Sequence, residues 1–245
     1  VKPKYYFISG SGNNRSFSSA NLKKIARSLK EEQKKYNISL SGGDTVFSKR
    51  LSFTVVSVGF SKKIISRTNA KLNDDIYVTG NLGDSFTGLQ ILKKKYQVSK
   101  ILKEYFEDKY YQPILNLRLT KKLFKFANTS IDISDGLIDD LGKLINKQKL
   151  SYIINLNNIP ISKNLEKLLF LKKKKIKSFI SRGDDYQILF TASVSKTRII
   201  SKIAKSLGIK ISKIGKITSN ACKSQIIDQK GKKIAIKEKG YFHKF

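Results

Sequence analysis

Between Thr129 and Ile145 the chain changes its period across a single acidic turn. Thr129 to Ile133 alternates apolar and polar residues as a short strand does. Leu137 to Ile145 instead has helical spacing, with Leu137, Leu141, Leu144 and Ile145 on one side. Asp132-Ile-Ser-Asp135-Gly136 must therefore be a strand-to-helix turn, with Gly136 supplying conformational freedom at the bend. Four of the chain's 18 acidic residues fall in the nine positions from Asp132 to Asp140, in a protein with 50 Lys and Arg. Such a turn directs carboxylates and free backbone N–H groups to one spot. Mg²⁺ bridged to phosphate oxygens suits it, because the cation takes hard oxygen ligands and a helix start favours anions. Asp132 and Asp135 carry that reading. Asp139 and Asp140 read equally well as solvated charges on the helix.

The 245 residues suffice for one large or two modest domains with a real core. A net charge of +32 ordinarily signals a nucleic-acid or anionic-membrane partner. Here Lys is spread along the whole length beside abundant Ile and Asn, without Trp or Met, which fits A- and T-biased coding better than a selected basic patch. Nucleic acid is accordingly not expected as the main partner, and the run Lys172 to Lys175 reads as a solvated loop. One cysteine, Cys222, permits no internal disulfide and fits a reducing cytosol. No apolar run approaches the roughly 18 to 20 residues of a membrane span, so a soluble, cytoplasmic protein is expected.

Along the chain, Val1 to Ile8 leads into a polar loop, Ser9 to Arg15. A helix capped by Ser18 or Ser19 runs to about Tyr36, with Leu22, Ile25, Ala26 and Leu29 inward. A strand at Ile38 to Leu40, a turn at Ser41 to Thr45 and a strand from Leu51 to Phe60 follow. Next come a buried strand at Asp75 to Thr79, a helix from about Phe86 to Lys95, and a helix opened by Pro113 and ending at Phe126. Beyond the acidic turn, strands are expected at Tyr152 to Leu156, Gln187 to Thr191, Ile211 to Ile217, Ser224 to Asp228 and Ile234 to Lys237, with a helix from Thr197 to Leu207. The class is α+β.

Gly42-Gly43-Asp44-Thr45 offers backbone N–H groups to a phosphate and a carboxylate to its metal, though it also makes an ordinary turn. Gly83-Asp84-Ser85 reads as a capped helix start. In Gly183-Asp184-Asp185-Tyr186 the paired carboxylates have no evident structural need, which favours a functional Asp184. There is no Walker-type glycine loop. One His, His243, and one Cys give no triad and no zinc spacing. Separated Gly-Asp and Asp-x-x-Asp turns remain, and they suit a hard-cation, multi-phosphate site.

In order, Gly42-Gly-Asp-Thr45, Asp75-Ile-Tyr-Val-Thr-Gly80 with Leu82-Gly-Asp-Ser85, Ile131-Asp-Ile-Ser-Asp-Gly-Leu137, Gly183-Asp-Asp-Tyr186 and Gly240-Tyr-Phe-His243 closely resemble the thiamine-monophosphate kinase family. The resemblance implies a two-domain, aminoimidazole-ribonucleotide-synthetase-like α+β fold. Residues 1–62 would be the remnant of an amino-terminal ATP-binding and dimerisation domain, truncated at its start, and 63–245 the carboxy-terminal domain. It implies a homodimeric kinase of thiamine biosynthesis that transfers the γ-phosphoryl of ATP to thiamine phosphate, giving thiamine diphosphate, with Mg²⁺. Gly43, Asp44, Arg67 and Ser134 would contact ATP, and Asp44, Asp132 and Asp135 would hold Mg²⁺. Asp184 and Tyr241 would face thiamine phosphate, an aromatic ring and a carboxylate beside a cationic thiazolium. No residue is expected as a general base, because the acceptor phosphate is already ionised near neutral pH.

Three departures stand out. The family's Gly-Glu-Asp-Tyr-Glu is Gly183-Asp184-Asp185-Tyr186-Gln187 here, its Pro-x-Pro-Arg is Pro113-Ile-Leu-Asn116, and its Gly ahead of the second motif is Asn73. A family segment with further metal-binding Asp residues and a substrate-contacting His is expected upstream of Val1, and a chain without it would have little kinase activity. The alternatives are another ATP-using enzyme of this fold group, such as an aminoimidazole ribonucleotide synthetase, and a basic nucleic-acid-binding protein.

Overall fold

The computed structural model describes residues 2–145, 148–221, 223–236 and 240–241. Cys222 and His243 lie outside them. The chain divides into two compact units, Val1–Ile64 and Ile65–Phe245.

The first unit is a sheet built around β1 (Lys2–Gly12). Along one edge β1 pairs antiparallel with β4 (Ser52–Phe60), from Lys2↔Phe60 to Ser11↔Ser52. Along the other it pairs parallel, first with β2 (Ser39–Gly42) and then with β3 (Thr45–Phe47). A parallel neighbour needs a crossover, and helix α1 (Ser19–Tyr36) supplies it. The Ser18 hydroxyl accepts from Asn21 N–H at its start, and Asn37 in the left-handed region ends it.

Three expectations change in this unit. Ser9 to Gly12 belong to β1 rather than to a loop, because β4 and β3 satisfy their backbone groups whatever their composition. Gly42 to Thr45 does not reverse the chain; it is an irregularity between two strands that both run along β1, closed by Gly10 N–H donating to the Asp44 carbonyl at 2.8 Å. No residue of α1 is buried; Leu22 is 46% exposed, and Ile25 and Leu29 are only half-buried.

The second unit has six strands in the order β10-β7-β9-β5-β8-β6. They are β5 (Asp75–Thr79), β6 (Thr129–Asp132), β7 (Leu150–Asn155), β8 (Ile188–Ala192), β9 (Ile211–Ser219) and β10 (Gln225–Ile227). Every pairing is antiparallel except β10 with β7. Strand β5 is buried at all five positions because apolar layers cover both faces. Ile76 and Val78 enter one core with Leu137, Leu141 and Leu144 of α5 (Leu137–Ile145). Tyr77 enters the other with Ile200 and Ile203 of α8 (Thr197–Leu207). There the fully buried Phe190 ring stacks on Tyr77 at 5.2 Å and meets Phe126 at 5.3 Å. A third cluster joins α2 (Asp84–Leu92), α3 (Lys100–Tyr111), α6 (Lys163–Leu171) and α7 (Lys177–Ile180) through Ile91, Phe106, Leu165, Leu168 and Phe179.

The helix expected from Pro113 to Phe126 is instead the short α4 (Leu117–Thr120) and a 3-10 turn at Leu123–Lys125. Leu119, Leu123 and Phe126 still reach the core from these short pieces. Among the described residues no strand forms at 234–236; Ile234 N–H donates to Ile226 and Lys233 bridges Ile227. Lys237 lies outside the described residues. Asn73 takes φ +69, the left-handed bend that its place in the motif demands. No helix among the described residues is long and apolar enough to cross a membrane.

Candidate active site

The acidic turn joins β6 to α5. Ile133 N–H donates to the Gln187 carbonyl and Tyr186 N–H returns to the Ile133 carbonyl, both at 2.8 Å, so the β6–β8 ladder continues past the strand ends. One step further, Asp184 N–H donates to the Ser134 carbonyl at 2.9 Å. Position 183 must be glycine: a Cβ there would lie 1.8 Å from the Ser134 oxygen. On the other side Tyr241 N–H donates to the Asp135 carbonyl at 2.8 Å. Three segments distant in sequence thus meet at Ser134 and Asp135. Asp132 is exposed, Ser134, Asp135 and Asp184 are half-buried, and the Tyr241 side chain is exposed.

The free N–H groups expected at the helix start are already taken. Asp140 is 1% exposed, and its Oδ2 accepts from the N–H groups of Ser134, Asp135 and Gly136, each at 3.0 Å. A carboxylate from the first turn of α5 has folded back onto the bend, where the helix dipole favours negative charge. Asp140 is therefore a structural anchor, and those N–H groups are not free for phosphate.

Carboxylate oxygens of Asp135, Asp139 and Asp140 lie within 4.8 Å of one another. Asp132 is not among them. Lys143 Nζ reaches Asp139 Oδ2 at 2.8 Å, Asp140 Oδ1 at 2.9 Å, and Asp135 Oδ2 more closely still. Burial would lower the lysine pKa, but the three carboxylates raise it well above its ordinary value. The i, i+4 spacing from Asp139 and i, i+3 from Asp140 carried this signal in the sequence.

The paired carboxylates Asp184 and Asp185 divide their work. Asp185, 4% exposed, accepts from Gly83 N–H with both oxygens, at 3.0 and 2.9 Å, and so caps α2 from a remote loop. Burial pushes its pKa well above the usual carboxylate range. That cap is the structural need the sequence did not reveal. Asp184 sits at φ +70, and burial followed by the nearby Asp135 raises its pKa. Tyr186, at φ +50 and 42% exposed, has its phenol raised by burial and then by Asp184 and Asp132. Non-glycine residues in this region are held there at a cost and concentrate at functional sites. Asp84 fits its structural reading, buried and accepting from the Ser162 and Tyr105 hydroxyls at 2.7 and 2.9 Å.

Two departures from the family pattern meet in space. Asn116 Nδ2 lies 3.4 Å from Gln187 Oε1, which also accepts from the Thr79 hydroxyl at 2.8 Å. An Arg and a Glu of the pattern are both replaced by amides in one contact.

The remaining expected residues are described each within its own unit. Arg67 is exposed beside the Ser66–Thr68 hydroxyl pair. In the first unit, Asp44 Oδ1 accepts from Thr45 N–H at 2.7 Å, and a Cβ on Gly43 would lie 1.8 Å from the Ile8 carbonyl oxygen. Glycine at 43 is thus required by its approach to β1.

The solved structure of AaThiL complexed with AMPPCP and TMP superposes with a TM-score of 0.82 at 24% identity, covering 98% of this chain and 74% of that one. The fold is the α+β architecture of that enzyme. The thiamine-monophosphate kinase of Buchnera aphidicola subsp. Acyrthosiphon pisum is 38% identical over 225 residues, which is 91% of this chain and 69% of the relative. That of Nitrosopumilus maritimus is 30% identical over 245 residues, 99% of this chain and 76% of the relative. The chain belongs to the thiamine-monophosphate kinase family. No family model matches it.

Proposed function

We propose that this chain is a cytoplasmic kinase that phosphorylates thiamine phosphate to thiamine diphosphate with ATP and Mg²⁺. The observation that carries the reading is the meeting of Asp135, Asp184 and Tyr241 around one strand-to-helix turn, held by Asp184 N–H on Ser134 and Tyr241 N–H on Asp135. Family membership and the AMPPCP and TMP bound by AaThiL support the same chemistry. Asp132 and Asp135 present hard oxygen donors that fit Mg²⁺, as does Asp44 in the first unit. The metal, when bound, neutralises phosphate charge as two polyanions approach. Gly43, Asp44, Arg67 and Ser134 take ATP contacts in this proposal. Asp184 and Tyr241 face the thiamine phosphate, and the raised Asp184 carboxyl lies beside Asp135.

A homodimer belongs to the proposal. The sheet of the first unit exposes Phe7, Val46, Phe47, Phe53, Val55 and Phe60, more apolar surface than an isolated sheet keeps in water, and a second copy is its natural cover. Sedimentation tests this, and a monomer at micromolar concentration would refute it.

The enzymatic test is thiamine diphosphate formation from ATP and thiamine phosphate by the full reading frame, compared with Asp132→Asn and Asp44→Asn. Loss of at least about a hundredfold in either variant is expected for a lost metal ligand at phosphoryl transfer. Wild-type rates in both would sink the assigned metal roles.

A further inference from the structure

The ammonium of Lys143 stands where a cation bound by Asp135 would compete for the same oxygens. An ammonium has three N–H donors, and the structure offers it three carboxylates: Asp135 Oδ2, Asp139 Oδ2 at 2.8 Å and Asp140 Oδ1 at 2.9 Å. We propose that Lys143 is a built-in cation of the acidic turn, which holds Asp135 in the metal-free chain and is displaced from it when Mg²⁺ binds, so that this side chain sets the affinity for the metal. The inference rests on the metal role proposed for Asp135.

Three observations carry it. The partners differ in freedom: Asp140 is 1% exposed and pinned through Oδ2 by three backbone N–H groups, so it cannot follow a moving cation. The side chains of Asp135 and Lys143 are 36% and 37% exposed, so these two can separate. Charge also matters. Three carboxylates against one ammonium leave two negative charges unmatched, and a dication answers that deficit better than lysine does. Finally, Mg²⁺ takes oxygens at about 2.0–2.1 Å, and a dication that close to Asp135 repels the ammonium held by the same carboxylate. Lys143 therefore acts as a positioning residue: it keeps the carboxylates converged while the metal is absent and yields Asp135 to it.

The test is calorimetric titration of the full chain with MgCl₂ in the absence of nucleotide, for wild type, Lys143→Met and Lys143→Met with Asp135→Asn. Methionine keeps an unbranched stem of similar length and removes only the competing charge. Lys143→Met is expected to bind Mg²⁺ at least tenfold more tightly, and Asp135→Asn to abolish that gain. Its melting temperature should also rise more with Mg²⁺ than that of wild type, because a tighter ligand stabilises more at the same concentration. Equal or weaker binding by Lys143→Met, with wild type binding normally, overturns the role of Lys143 and leaves the metal reading intact. No Mg²⁺ binding by either protein overturns both. If Lys143→Met fails to fold in metal-free buffer, refolding on addition of MgCl₂ upholds the inference, and failure to refold refutes it.

Discussion

Replacing Asp140 by alanine should cost the second unit roughly 3–5 kcal/mol, although the residue lies in a helix beside an exposed turn. The side chain is 1% exposed, and one oxygen receives three backbone N–H groups at 3.0 Å. The Gly136 donor is buried, and a buried donor left unsatisfied costs about 1–3 kcal/mol. The Ser134 and Asp135 donors are partly buried, so water recovers some of their loss and about 1 kcal/mol each remains. Lys143 keeps two other carboxylates and contributes little to the difference. Asp140→Asn retains one oxygen acceptor and forfeits the charge, for a smaller loss of about 1–2 kcal/mol. Urea unfolding followed by circular dichroism, extrapolated to water, reads both values. An alanine variant within about 1 kcal/mol of wild type would refute the anchoring role and reopen those N–H groups as a phosphate cradle.

The Asn116–Gln187 contact predicts coupling between two departures from the family pattern. Gln187→Glu alone buries a carboxylate and should destabilise by a few kcal/mol, while adding Asn116→Arg should recover about 1–3 kcal/mol; a coupling energy below about 0.5 kcal/mol in the double-mutant cycle would show that the two positions are independent. Burial raises the Asp185 carboxyl, so the folded chain holds this proton more tightly than the unfolded chain does. Its contribution is fully present below the ordinary aspartate value of 3.8 and is lost as the pH rises through the raised folded value, and wild type should therefore lose stability relative to Asp185→Asn across that range. Parallel stability–pH curves for the two proteins would remove burial of Asp185 as the cause.

Legibility in the sequence followed how locally each element is stabilised. Asp75–Thr79, Leu137–Ile145 and Thr197–Leu207 carry unbroken periodic patterns, and all three form where the pattern places them. Helices α3 and α6 are as well formed, yet their Lys-rich faces dilute the period, and their inward residues Phe106, Leu165 and Leu168 become meaningful only in a shared cluster. Ser9 to Gly12 reads as a loop because Ser and Gly have poor strand propensity, a preference overridden by partners on both edges. The same limit applied at the site. Asp135, Ser134 and Asp184 stood out by motif, but the capping duties of Asp140 and Asp185 depend on N–H groups whose positions no spacing rule supplies.

The strand order of the second unit bears on when the site comes into being. Strand β5 is the first of its sheet to be synthesised, yet it ends up between β8 and β9, whose residues follow more than a hundred positions later. The sheet cannot be laid down strand by strand as the chain emerges, because its central member waits for both neighbours. The acidic turn waits longer still, since its contact with Tyr241 joins it to a segment that follows β9 and β10 in the chain. Contacts of such separation slow folding and make it cooperative. A nascent chain should thus hold β5, with its apolar centre Ile76 to Val78, unpaired until β8 and β9 have been synthesised. Chaperone dependence during synthesis, rather than weak final stability, is the expected burden of this topology.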